Sequence, residues 1–523
     1  MKKTIFGISL LTLTCLYGLL AGLVILIVML CGGDILYAIV GCVIVLIIQF
    51  LISPWLTDIS MKWFYKVRFD QNVPEFVRKT VEDMATKYNA KMPKIGIIED
   101  GGPNAFTYGR TKNDARIVLT RGMFNLLTEE EVKAVIAHEM GHIVHYDMLV
   151  MTVAQIIPLV LYAIYETFTR SADGDSDNKI AAVIGFVAYI LYIISQYVIL
   201  YLSRTREYFA DEFSCDETKN PNALAEALVK IGFGLSTRDE AGKKHNVHSN
   251  TTLGISDSKG AKTMAIGCIN QDGTLSKDKI KESMKWEMWN PWAKWFELNS
   301  THPLISNRLK AISKKSSEYG QEAYIVFDLE KPESYVDDFM LELFISFLPV
   351  IVIIGCLIAF FATQNSLMLG LTFILGSITS FIRYKRSHSK KEFKNTNVAS
   401  LLGEVKVSNI TSIPCTLEGT IIGRGDPGCI FNEDFIIKDE TGIIFLQYNQ
   451  PLVTLNKLFA LFRAGKYIDK KVTIKGWYKR SPVPYIEILE IITPEKTKKI
   501  HTYNVTLAFH ILFILIGLFM MTL

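Results

Sequence analysis

The 523-residue sequence has no CxxC pair among its eight cysteines, which excludes a thiolate zinc site of the usual spacing and gives no sign of a disulfide framework. Cys15, Cys31, Cys42 and Cys356 lie inside apolar runs. Cys215, Cys268, Cys415 and Cys429 are expected as free thiols in a reducing compartment, with burial as small apolar groups the role of all eight. Charge is scarce and nearly balanced: 56 Lys and Arg against 52 Asp and Glu leave a net +4, which asks for no nucleic-acid partner. Half of the residues are hydrophobic, too many for a fully soluble chain, and the length is too great for one ordinary domain.

What is abundant is long apolar sequence. Ile5 to Cys31 and Ile35 to Ile52 are uncharged, and a helix needs about 20 such residues to cross the hydrocarbon layer. Further runs span Met148 to Phe168, Ile180 to Leu202, Phe344 to Phe361, Leu367 to Ile382 and Val505 to Leu523, giving seven candidate crossings. Basic residues cluster on alternate connections, including Lys62, Lys66 and Arg68, then Arg204 and Arg206, then Arg383, Lys385 and Arg386. The positive-inside rule therefore places every sizeable domain in the cytoplasm of a multi-pass cell-membrane protein.

The motif that carries chemistry is His138-Glu139-Met140-Gly141-His142. On a helix, residues i and i+4 share a face, so two imidazoles so spaced grip one metal ion and Glu139 is placed to act on a water at that ion. Thr128 followed three residues later by Glu131 signals a capping box. Val132, Val135, Ile136, Met140 and Ile143 then repeat at helical spacing, predicting an ordered, half-buried helix. Zinc, one per chain, suits such ligands and keeps three protein donors in a catalytic site.

A third donor is required, and the extended pattern HExxHxxGxxH fails, with His145 in place of its glycine and Met148 in place of its last histidine. A carboxylate from a second helix remains. A membrane hairpin leaving near Met148 and returning near Leu202 brings back Glu207, with Asp211 four residues on and able to accept a hydrogen bond from a ligand histidine. Read alone, Glu207 is also compatible with an exposed acid paired to neighbouring arginines. His142 precedes the run at Met148 by six residues, roughly 9 Å along a continuous helix, so substrates would be presented at the membrane face.

His138-Glu139-Met140-Gly141-His142, Arg206-Glu207-Tyr208-Phe209-Ala210-Asp211, Pro103-Asn104-Ala105-Phe106 and Thr301-His302-Pro303 with Arg308 together resemble the HtpX-like membrane zinc metalloproteases, relatives of the zinc-dependent prenyl-protein endopeptidase. The resemblance spans Trp55 to Ile312. It implies a gluzincin fold with His138, His142 and Glu207 as ligands and Glu139 as general base. It further implies that Asn104, Ala105 and Phe106 form a substrate-binding edge strand beside the cleft, that Arg116 to Leu119 form a strand leading to the helix, and that His302 donates to the oxyanion with support from Arg308. From the residues alone, Asn104 equally begins a turn after Gly101-Gly102-Pro103, and His302-Pro303 equally ends a loop before a helix at Ile305 to Ile312.

Beyond Ile312 the resemblance is silent. Ser408 to Glu490 has short β-rich runs separated by turns, the rhythm of a small antiparallel barrel of oligonucleotide-fold type. Lys475, Trp477, Tyr478, Lys479 and Arg480 mix bases with aromatics as single-strand sites do, but docking or substrate gating is the preferred role. Gly234 to Ser283 reads as a mobile insertion.

The expected architecture is α+β, a polytopic helical membrane protein with a zincin-type domain. Its parts are a transmembrane hairpin (1–56), a first metalloprotease part (57–147), a second hairpin (148–202), a second metalloprotease part (203–335), a third hairpin (340–386), the barrel module (392–497) and a last helix (502–523). The expected function is zinc-dependent endopeptidase action on membrane or misfolded proteins at the cytoplasmic face. The bilayer and protein or peptide substrates are the expected partners, nucleic acid is not, and the oligomeric state stays open. The alternative is a membrane scaffold that binds partners through the barrel and keeps zinc for structure.

Overall fold

The computed structural model describes residues 35–99, 103–173, 179–236, 276–327, 333–424, 433–451, 453–481 and 483–522. The expected first span, Ile5 to Cys31, lies outside the described residues, as does most of the expected insertion. The end of that insertion is corrected: Lys277–Trp289 is a helix, capped by the Ser276 side chain on the Lys279 amide. The described residues fall into two compact units, one carrying the motif helix and residues 297–326, the other carrying residues 327–523 and the helix Lys277–Trp289.

In the first unit, helix α1 (Ile35–Phe64) bends by 47° where Pro54 removes a backbone donor. It leads to a four-stranded sheet of β1 (Arg68–Phe69), β2 (Lys94–Ile98), β3 (Ala105–Gly109) and β4 (Ala115–Thr120), in the order β1-β2-β4-β3. The β2 and β4 strands run parallel, and β3 pairs antiparallel with β4 at the edge. Every residue of β4 is buried, as a central strand requires. Helix α2 (Glu75–Lys87) contributes Val77, Val81 and Ala85 to the core at a spacing of four.

The motif lies on α3 (Glu129–Val144). Its capping box is formed: the Glu131 amide donates to Thr128 Oγ1 and the Thr128 amide to Glu131 Oε2. The helix is more buried than a one-faced amphipathic helix, because it is enclosed by β3, α2 and the long helix α6 described below. It does not continue into the membrane run. Tyr146 takes a left-handed backbone (φ 58°), and α4 (Asp147–Ala154) starts in a new direction, so the expected straight 9 Å path is replaced by a turn.

Helices α4, α5 (Ile156–Asp173) and α6 (Lys179–Thr218) follow. At 40 residues α6 is about 60 Å long, enough to cross a membrane and continue beside α3. Helix α7 (Pro221–Ser236) and helix α8 (Ile305–Glu318) complete the unit.

The second unit holds α9 (Val336–Thr363), α10 (Leu367–Ser387) and, at its end, a last apolar helix, Thr502–Met520. Gly370 and Gly517 let the last two pack backbone to backbone, since a Cβ on either would stand 2.7 Å from the other's carbonyl oxygen. Among the described residues, five stretches are long and apolar enough to cross a membrane: Asp147–Arg170, Ile180–Thr218, Val336–Thr363, Leu367–Ser387 and Thr502–Met520. They coincide with five of the seven expected runs, and α1 makes a sixth if its bent halves form one span.

Between α10 and the last helix lie β5 (Lys394–Thr396), β6 (Ile413–Arg424), β7 (Phe435–Lys438), β8 (Ile443–Gln447), helix α11 (Val453–Phe462), β9 (Lys471–Ser481), β10 (Val483–Ile492) and β11 (Thr497–Lys499). Five strands close a ring, β6-β7-β8-β10-β9 and back to β6. Four of its pairings are antiparallel, but β8 and β10 run parallel, a departure from the all-antiparallel barrel expected. The parallel pair needs a crossover, and α11 lies within it. Of the aromatic and basic set noted in the sequence, Trp477, Tyr478, Lys479 and Arg480 are buried and serve packing, with Trp477 Nε1 donating to the Ser389 carbonyl and Arg480 to the Ser283 carbonyl, while Lys475 is half-buried over the Phe393 ring.

Candidate metal centre

Helices α3 and α6 cross at Gly141. A Cβ there would stand 3.1 Å from Ala210 Cα and 3.3 Å from Phe213 Cβ, so only a residue without a side chain permits this approach comfortably. The crossing brings Glu207 to the two motif histidines. Glu207 Oε2 is 3.7 Å from His138 Nε2, and Glu207 Oε1 is 3.6 Å from His142 Nε2. The three residues form a group able to hold a metal ion.

Each histidine is oriented from behind. Asp211 Oδ1 lies 2.9 Å from His138 Nδ1, and Asp147 Oδ2 lies 2.6 Å from His142 Nδ1. Each aspartate is in turn held by an arginine. Arg308 makes two hydrogen bonds to Asp211, at 2.8 and 2.6 Å, and Arg206 bonds both Asp147 and the carbonyl of His145. With protons assigned to the two Nδ1 atoms that face carboxylates, both Nε2 atoms present lone pairs to one point.

Those Nε2 atoms are 3.2 Å apart. Two lone pairs so close repel unless a proton or a metal ion lies between them, and a tetrahedral ion with bonds of about 2.0–2.1 Å separates its donors by roughly 3.3–3.4 Å, so the spacing suits either occupant. Charge points the same way. The carboxylates of Asp147, Glu207 and Asp211 pair with the guanidinium groups of Arg206 and Arg308, and the Glu139 carboxylate adds to the acidic side, so acids outnumber arginines at the site as a cation requires. The residues fit a divalent metal.

The pKa of His142 reflects the same surroundings. Burial opposes protonation, but the Asp147 hydrogen bond and the nearby carboxylates of Glu207 and Glu139 overcome it and lift the imidazole to about 9 in the metal-free protein. His145, in contrast, is pushed below its ordinary value by burial and packs against Phe209 and Phe213 outside the donor cluster.

Glu139 accepts a hydrogen bond from Thr107 Oγ1 at 2.7 Å, which ties the motif carboxylate to edge strand β3. In that strand the side chains alternate. Phe106 packs into the core with Met61, Val67, Ile98 and Val118, while Thr107 faces α3. Asn104 Oδ1 accepts from the Ala105 amide, and the Asn104 amide donates to Thr120 Oγ1, so this side chain braces the strand end. Ala105 is fully buried.

His302 Nδ1 is 3.2 Å from Glu207 Oε2, and Arg308 Nη1 is 3.4 Å from the same oxygen. The loop carrying His302 is held by Arg204, which donates to the carbonyls of Glu297, Leu298 and Ser300. Sequence reading missed Asp147, Thr107 and this use of Arg204. Arg204 and Arg206, read in the sequence as basic flanks of a span and as possible partners of Glu207, with Arg206 also in the resembling motif, are both committed to other specific oxygen acceptors.

The sequence profile of peptidase family M48 matches residues 74–316 and stops before α9. A protease HtpX homolog from Methanothermobacter thermautotrophicus is 39% identical over 205 residues, which cover 39% of this chain and 76% of that protein. One from Aeropyrum pernix is 28% identical over 289 residues, 52% of this chain and 84% of that protein. The crystal structure of S. mikatae Ste24p is similar over 60% of this chain and 67% of that chain, at 19% identity and a TM-score of 0.38.

Proposed function

The chain belongs to peptidase family M48, and from that premise we propose a zinc endopeptidase, held in the cell membrane, that hydrolyses membrane or misfolded proteins at the cytoplasmic face. The observation that carries the reading is the convergence of His138, His142 and Glu207 with both imidazoles oriented through Nδ1. Two nitrogens and one carboxylate are a catalytic zinc set, and three donors leave a coordination position open, unlike the closed four-ligand structural sites. This favours an enzyme over a scaffold with structural zinc.

A divalent ion so held supplies Lewis acidity, making a water acidic and polarising the scissile carbonyl. Glu139, pinned by Thr107, takes the proton of the attacking water and passes it to the leaving amine. An extended peptide pairs with the edge strand β3 along its accessible part, Thr107 to Gly109, where main-chain hydrogen bonds hold it without reading many side chains. Asn104 and Phe106 shape that edge from behind. His302, beside the third ligand, donates to the carbonyl oxygen as it becomes tetrahedral, and Arg308 positions Asp211 and Glu207. In the second unit, the five-strand ring with one parallel pair and a helix in its crossover supports the oligonucleotide-fold reading.

The test is cleavage of an unfolded protein by purified chain in lipid, with chelator and after zinc is restored, beside Glu139→Gln. The proposal expects zinc-dependent cleavage by the wild type and none by a Glu139→Gln protein with full zinc content. Cleavage that survives the chelator, or persists in zinc-replete Glu139→Gln, contradicts it.

A further inference from the structure

Helix α11 is apolar on two opposite sides. Its inner side, with Asn456, Phe459 and Ala460, is buried in the barrel, where Phe459 stacks on Tyr448 with centroids 3.9 Å apart. Its outer side presents Leu455, Leu458, Leu461 and Phe462 at 45%, 50%, 40% and 72% exposure. These four recur at helical spacing and form one continuous stripe. An apolar stripe on an otherwise folded module marks a surface that another phase or molecule covers.

The surroundings identify what covers it. The Thr502 hydroxyl donates to the Asn449 carbonyl, so the segment entering α11 is tied to the first residue of the apolar helix Thr502–Met520. That helix is long and apolar enough to cross a membrane, and its first turn therefore lies near a lipid–water boundary. The Gln450 amide, one residue after the tie, donates to Asn456 Oδ1 within α11 and fixes the helix close to that junction. Charge agrees: Gln450 to Ile468 holds Lys457, Arg463 and Lys466, all exposed, and no acidic residue. Basic residues beside exposed leucine and phenylalanine are the composition of a helix lying in the interface of an anionic membrane.

We propose that the outer face of α11 lies in the bilayer surface, so that the barrel is held flat against lipid through Leu455, Leu458, Leu461 and Phe462. The occupant is the membrane itself, continuous with the boundary at Thr502. No part of this depends on the metal centre.

The full-length protein, in nanodiscs of phosphatidylcholine with phosphatidylglycerol, carries an environment-sensitive fluorophore at Leu458→Cys or Phe462→Cys. Glu440→Cys, at an exposed turn of the same barrel, is the reference, and wild-type protein taken through the same labelling gives the background. The proposal expects several-fold stronger quenching by spin-labelled lipid at 458 and 462 than at 440, with the reverse order for an aqueous quencher. Equal access of the aqueous quencher to all three sites overturns it. Protection at 458 and 462 from both quenchers also overturns it, and assigns the face to a protein partner.

Discussion

Asp147 stands 2.6 Å from Nδ1 of His142, although the helix bearing His142 has already ended. The left-handed Tyr146 turns the chain back, so that the residue opening the next helix braces a ligand of the last one. Arg206 then fixes Asp147 from the helix that supplies Glu207. Asp147→Asn should keep the fold and lower zinc affinity about 10- to 100-fold, the usual cost of losing a partner of a ligand histidine. Zinc titration against a competing chelator measures this, and unchanged affinity would remove Asp147 from the account.

Gly141 sets the distance between the two ligand-bearing helices. Gly141→Val places branched carbon where Ala210 Cα is already 3.1 Å from a Cβ, and overpacking of this kind costs about 1–3 kcal/mol. The variant should melt at lower temperature, and zinc should raise its melting point less than that of the wild type. Gly141→Ala should show the same effects more weakly.

Zinc binding should release protons. His142 is protonated below about 9 in the metal-free protein, and only a neutral imidazole binds metal, so at neutral pH the ion displaces that proton. Affinity therefore falls as pH falls, by about tenfold per unit while the His142 proton is displaced. Occupancy measured at fixed free zinc should decline in mild acid. Full occupancy near pH 4 would contradict the ligand assignment.

How legible these features were follows from the distance along the chain over which each is encoded. The capping box and the His138–His142 pair depend on spacings of three and four residues, so pattern alone reveals them. Glu207 was accessible because a returning hairpin constrains where the chain comes back. Asp147 was not, since its place depends on a left-handed tyrosine, a conformation that residue type does not announce. Thr107 reaches Glu139 only through the packing of β3 on α3. In the second unit the rhythm of short strands showed a barrel, but the parallel pairing of β8 with β10 and the inward turn of Trp477 to Arg480 are set by ring closure, which no local pattern records.

The central claim is one divalent ion shared by α3 and α6, and anomalous diffraction at the zinc edge tests it most directly. The account predicts one strong peak per chain, about 2.0–2.2 Å from His138 Nε2, His142 Nε2 and a Glu207 carboxylate oxygen, retained in Glu139→Gln. A zinc-replete crystal with no peak there, or with Glu207 turned away from the ion, would contradict it.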